Sequence, residues 1–286
     1  MAEKRTLLLL LLLAAALICF GCGAPEAAPA PTNAPEATAA PQIVSTSAKG
    51  RAVARITGET YYPSEKDWKY HFVYAYPRVL GEDYAAAAIS ETYQMALDEM
   101  AQLMLPMFAN EESMTFDGHN EIKHDFYVTC NNDRVLSIVQ TRSQTMGDEG
   151  TVLSMEPLVF DVSGEYSGET LTLRGCILAG ISQEKAEDMT AEKYPQAAKI
   201  LAGSSDLISE KIAEKLYPAF QEMQEKGTCR KDFDREDFEL EFSPAASFYV
   251  NEKGSVVFFF PPSLFVSPSF DVPAFEFTAG EIEDLL

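Results

Sequence analysis

The first fifty residues of this 286-residue chain cannot join a packed core, which leaves residues 51–286 to make whatever fold there is. Lys4 and Arg5 head an unbroken apolar run from Leu7 to Ile18, and Cys19-Phe20-Gly21-Cys22-Gly23 follows, with the small Gly21 at the cut. A charged head, an apolar run of this length and a small-residue exit are the layout of a secretory signal, placed at residues 1–21. The run is shorter than the ~20 residues that a membrane-spanning helix needs. Residues 22–50 are mostly Ala, Pro, Thr and Ser, with Pro25, Pro29, Pro31, Pro35 and Pro41 among them. Such a segment buries too little to offset its ordering entropy and reads as an extended tether. Stretched as polyproline II at ~3.1 Å per residue, residues 23–50 would span about 90 Å.

The junction itself is specific. Gly21 directly before Cys22 resembles the lipobox of bacterial lipoproteins, which implies a diacylglyceryl group on the Cys22 thiol and cleavage in front of it. The open alternative is an ordinary secretory cut near Ala24 or later. With lipid on Cys22 the expected location is the extracytoplasmic face of the cell membrane. Two acyl chains hold a protein there stably where one does not.

Charge then narrows the partners. The chain carries 22 Lys and Arg against 44 Asp and Glu. Losing Lys4, Arg5 and Glu3 with the signal leaves 20 against 43, a net charge of −23. That balance excludes nucleic acid, which needs a basic stripe, and adsorption to anionic headgroups. It would attract a cationic partner. Beyond Cys22 only Cys130, Cys176 and Cys229 remain, an odd number that allows at most one internal disulfide. Cys130 and Cys176 both read as buried thiols in strands.

Periodicity predicts an α+β fold, a mainly antiparallel sheet with helices packed on one face. In the run Trp68–Val79, Tyr70, Phe72, Tyr74 and Tyr76 share one side. Asp83 is placed to cap a helix from Tyr84 to about Phe108, with Ile89, Tyr93, Ala96, Met100, Leu103 and Met107 on its inner face and Pro106 in its last turn. Asn131–Asn132–Asp133 joins Ile122–Cys130 to Val135–Arg142 as a hairpin. Leu153–Val162 and Thr170–Leu178 read as further strands. Ser182–Lys226 is helical, with Ile208, Ile212, Leu216 and Phe220 in one stripe and Pro218 as a kink. Phe238, Leu240 and Phe242 alternate with acids as a strand would. Phe248–Val250 and Ser255–Phe260 form a last hairpin around Asn251–Gly254.

The sequence holds no catalytic constellation. A Gly-rich phosphate loop, Cys-x-x-Cys, His-Glu-x-x-His and Gly-x-Ser-x-Gly are all missing, and the only histidines are His71, His119 and His124. His119 and His124 fall on opposite strand faces and make a poor metal pair. The acidic run Asp232–Asp237 lacks the sixth-position Gly and twelfth-position Glu of a calcium loop. No metal or cofactor is expected.

The C-terminal stretch from Phe248 to Pro262, continued in Phe265-Val266-Ser267-Pro268 and Pro273-Ala274-Phe275-Glu276-Phe277, resembles the closing motif of the paired domains of unknown function DUF4163 and DUF3298, found in Firmicute surface proteins. Val135–Val139, Leu158–Val162 and Gly168–Leu171 are similar to the same family's middle section. The resemblance implies two α+β subdomains, DUF4163-like at 51–180 and DUF3298-like at 181–286. It also implies an extracytoplasmic recognition module, as in lysozyme-sensing anti-sigma factors and the non-catalytic part of some peptidoglycan deacetylases. The expectation is therefore a lipid-anchored, non-catalytic binding or sensor module of the cell envelope. Its ligand would be a lysozyme-like protein or cell-wall glycan, with contact residues that the sequence does not mark. Two other classes stay open: a carboxylate-dependent enzyme acting on envelope glycan, and a purely structural surface lipoprotein.

Overall fold

The computed structural model describes residues 42–110, 119–163, 167–182 and 188–286. Cys22, the signal and the tether up to residue 41 lie outside them. The described chain begins with β1 (Gln42–Ser45), so the end of the tether is a strand rather than free chain. Then come β2 (Ala52–Tyr62) and β3 (Tyr70–Leu80). α1 (Tyr84–Glu99) follows, then a π turn (Met100–Met104) and α2 (Leu105–Asn110). β4 (Asn120–Asn131), β5 (Val135–Met146) and β6 (Thr151–Asp161) complete a six-stranded sheet in the order β1-β2-β3-β4-β5-β6. Neighbours are antiparallel except β3 and β4, which run parallel over Tyr70–Tyr74 and Asn120–His124. A parallel pair needs a crossover, and α1, the π turn and α2 lie within it.

Helix α1 covers one face of this sheet. Asp83 caps it, accepting from the Ala86 N–H at 3.0 Å. Ile89, Tyr93, Leu97 and Met100 are buried against Tyr70, Phe72, Tyr74 and Tyr76. The expected inner positions Ala96 and Leu103 are instead exposed. The Leu105 N–H reaches the Met100 carbonyl, a five-residue step that rotates the following turn and brings Leu105 and Phe108 inward. This widening sits just before Pro106, whose ring cannot accept an ordinary helical turn ahead of it. On the same face Gly58 is required: a Cβ there would lie 2.2 Å from the Tyr74 hydroxyl oxygen.

The rest of the chain builds a second layer. α3 (Leu173–Ile181) leads to α4 (Ala198–Ala202), α5 (Ser205–Glu225) and α6 (Arg235–Glu241). A three-stranded sheet β7 (Phe248–Val250), β8 (Val256–Phe259) and β9 (Ala274–Phe277) follows, with β8 central and buried throughout, and α7 (Ala279–Leu285) closes the chain. The stripe Ile208, Ile212, Leu216 and Phe220 packs into this layer, Pro218 standing inside α5. No described helix is long and apolar enough to cross a membrane.

Two expected strands are helices. Thr172 accepts from the Gly175 N–H and starts α3, so Cys176 is buried on a helix and only Thr170 keeps a bridge, to Phe160. Asp234 and Asp237 form a reciprocal capping box that starts α6. Phe238 and Phe242 then point inward together at a spacing of four, whereas Leu240 is 80% exposed. Cys130, Cys176 and Cys229 are free and buried, with burial pushing the Cys130 and Cys229 thiols up to about 11.

Phe238 lies 4.8 Å from the Phe220 ring centre and 5.6 Å from that of Phe260. Phe238→Ala should therefore cost about 3–5 kcal/mol in urea unfolding, and Leu240→Ala less than about 0.5 kcal/mol. Equal losses would contradict the helical register. The three thiols should react with Ellman's reagent only once the protein is unfolded, and ready labelling of the native protein would contradict their burial.

Candidate functional site

Among the described residues, the face of the six-stranded sheet opposite α1 is covered at one end and open at the other. At one end Cys130, Val135 and Val159 join the second layer through Phe248, Val250 and Phe258. The Val250 N–H donates to Ser137 Oγ at 3.1 Å, which also accepts from Thr129 Oγ1 at 2.8 Å. Beyond this seam the face is open. Strand alternation turns Arg55, Thr57, Glu59 and Tyr61 of β2, His71, Val73 and Ala75 of β3, and Glu121, Lys123 and Asp125 of β4 toward it. Thr141 and Ser143 of β5 complete the row, opposite Asp125 and Lys123.

The result is a cleft of about 600 Å³, edged by Phe270 from the segment between β8 and β9. Its charges are matched within the chain. Arg55 pairs with Asp125 and also donates to the Phe126 carbonyl at 3.1 Å. Lys123 Nζ is 2.6 Å from Glu121 Oε1. His71 stands between two carboxylates, Nε2 2.9 Å from Glu59 Oε2 and Nδ1 3.5 Å from Glu121 Oε2. The Tyr61 hydroxyl donates to Glu59 at 3.1 Å. His71 and then Tyr61 hold the Glu59 carboxyl below its usual range. A glycosidase acid needs the opposite shift, so Glu59 is not tuned for proton donation.

Aromatic rings flank the far end. Tyr61 stacks on His71 with centroids 4.3 Å apart, and Trp68 packs edge-on to both. His119 lies against Trp68 at 4.1 Å, on the open side. His124 is on the covered side, its Nδ1 2.6 Å from the Tyr76 hydroxyl. The two histidines are thus separated as expected, and no group of three metal-ligating side chains occurs among the described residues. Of the acidic run, Asp232 pairs with Arg230 at 2.8 Å while Asp234 and Asp237 cap α6. No local motif marks the cleft residues in the sequence, since they lie on four strands and a loop.

No protein-family model matches the chain, and no curated protein matches it. Among solved structures, a DUF3298 family protein from Pseudomonas aeruginosa PAO1 is similar over 81% of this chain and 92% of its own, with a TM-score of 0.45 and 13% identity. A DUF3298 family member from Bacteroides fragilis NCTC 9343 is similar over 82% and 99%, with a TM-score of 0.40 and 12% identity.

His124 makes the fold acid-sensitive. Burial, and then Arg142 nearby, push its pKa down to about 3 from 6.5. The unfolded chain takes up this proton below pH 6.5 and the folded chain does not, so the contribution is complete above 6.5 and is lost as pH falls toward 3. The slope is at most about 1.4 kcal/mol per pH unit. Urea midpoints should fall between pH 6.5 and 3.5, and His124→Asn should flatten that fall. A variant as pH-sensitive as the parent would remove His124 from this role.

Proposed function

We propose that this chain is a non-catalytic binding module of the bacterial cell envelope, held at the extracytoplasmic face of the membrane by lipid on Cys22. The observation that carries the reading is the half-open sheet face, where a shaped cleft presents polar and aromatic side chains at the surface. Concave sites with a few placed polar groups are where ligands bind. The candidate ligands are those of the cell wall: its glycan, or a basic lysozyme-like protein drawn in by the net charge of −23 that follows signal removal. The Ala- and Pro-rich tether gives the module reach from the membrane.

The test is retention of the full chain, in detergent, on purified peptidoglycan and on immobilised lysozyme, with muropeptide release assayed in the same tubes. Saturable retention without release is expected. Release of glycan fragments that Glu59→Gln or Asp125→Asn abolishes would make the protein an enzyme, and no saturable retention would remove the binding role.

A further inference from the structure

The cleft also carries information about the chemistry of its ligand. A site built for a cation leaves carboxylates unpaired, and one built for an anion leaves guanidinium or ammonium groups unpaired. This cleft does neither: Arg55 is matched by Asp125 and Lys123 by Glu121, while Glu59 accepts from the Tyr61 hydroxyl and lies 2.9 Å from His71 Nε2. Partnered in this way, these groups still offer spare lone pairs and N–H bonds to a ligand. The hydroxyls of Thr57, Thr141 and Ser143 line the floor. They make no side-chain hydrogen bond among the described residues.

Size and shape add to this. Val73 and Ala75 keep the floor low, and the row from Thr57 across Ala75 and Asp125 to Thr141 crosses four strands. At ~4.8 Å between strands that is about 14 Å, the length of a short extended oligomer. Phe270 lines the cleft, 37% exposed, and the Tyr61–Trp68 pair lies further along the face, past Glu59. Hydroxyl floor, partnered charges and aromatic rings are complementary to one class of molecule. A sugar ring has apolar C–H faces that lie on aromatic rings, and rim hydroxyls that both donate and accept hydrogen bonds.

We propose that the open-face cleft binds an uncharged glycan strand, with Phe270 as a stacking face and Thr57, Thr141 and Ser143 with the paired charges as hydroxyl partners. The proposal rests on the binding-module reading and narrows its ligand to the sugar chain.

The experiment is calorimetric titration of the full chain in detergent with a β-1,4-linked tetramer of N-acetylglucosamine. It is repeated for Phe270→Ala, for Thr141→Trp, which fills the floor, and for the remote surface variant Met95→Ala. Saturable binding is expected, weakened at least tenfold by Phe270→Ala and by Thr141→Trp and unchanged by Met95→Ala. Raising salt from 50 to 500 mM should change it less than twofold, because the ligand has no charge to screen. Thermal melts establish that each variant is folded, and Phe270→Ala at the exposed rim carries the test if Thr141→Trp is not. No saturable binding of the tetramer, or binding indifferent to both cleft variants, overturns the proposal. If retention on lysozyme or peptidoglycan persists in both variants, the module stands and the glycan cleft falls. If the unaltered chain is retained on neither, the module reading itself has failed.

Discussion

The hydrogen bond from the Val250 N–H to Ser137 Oγ marks the constraint on which the rest of this structure depends. A six-stranded sheet has two faces to satisfy, and α1 satisfies one. On the other, the three-stranded sheet and its helices pack on the Cys130, Val135, Ser137 and Val159 end. The seam is apolar around a buried polar node, in which Ser137 Oγ accepts from both Thr129 and Val250. Where the seam stops, side chains change from Val to Thr, Ser, Glu and Lys along the same strands. The cleft is therefore a consequence of partial coverage rather than a separate device.

The two faces handle polarity differently. On the covered side Tyr76 meets His124, and burial keeps that imidazole neutral through the ordinary pH range. On the open side charges are retained and paired in water, where each pair adds little stability but sets which ligands the surface can accept. The whole chain is strongly acidic, yet the charged groups of the cleft each have a partner. Long-range attraction of a basic partner and local recognition in the cleft are thus separate properties of one molecule.

Much of the first sheet was legible in the sequence. The alternation of Tyr70, Phe72, Tyr74 and Tyr76, the Asn131–Asp133 turn and the Asp83 cap each express a local rule, and each appears in the structure. Failures came where local rules compete. Phe238, Leu240 and Phe242 fit a period of two if Leu240 is counted as core, but the capping box of Asp234 and Asp237 favours a helix and leaves Leu240 in solvent. Thr172 acts likewise for the segment around Cys176. The cleft was not legible at all. Arg55 and Asp125 are seventy positions apart and meet only through strand order, and Phe270 reaches them from a loop. Pairing across four strands is set by register, which no single stretch of sequence contains.

The central claim is that the uncovered half of the sheet face is the binding surface. Amide hydrogen exchange of the full chain, with and without soluble peptidoglycan fragments, tests it most directly. Slower exchange is expected in β2, β3 and β4 around Thr57, Val73 and Lys123 and in the Phe270 loop, with α5 and α6 unchanged. Protection confined to the α5–α6 side, with the cleft strands unaltered, would contradict it.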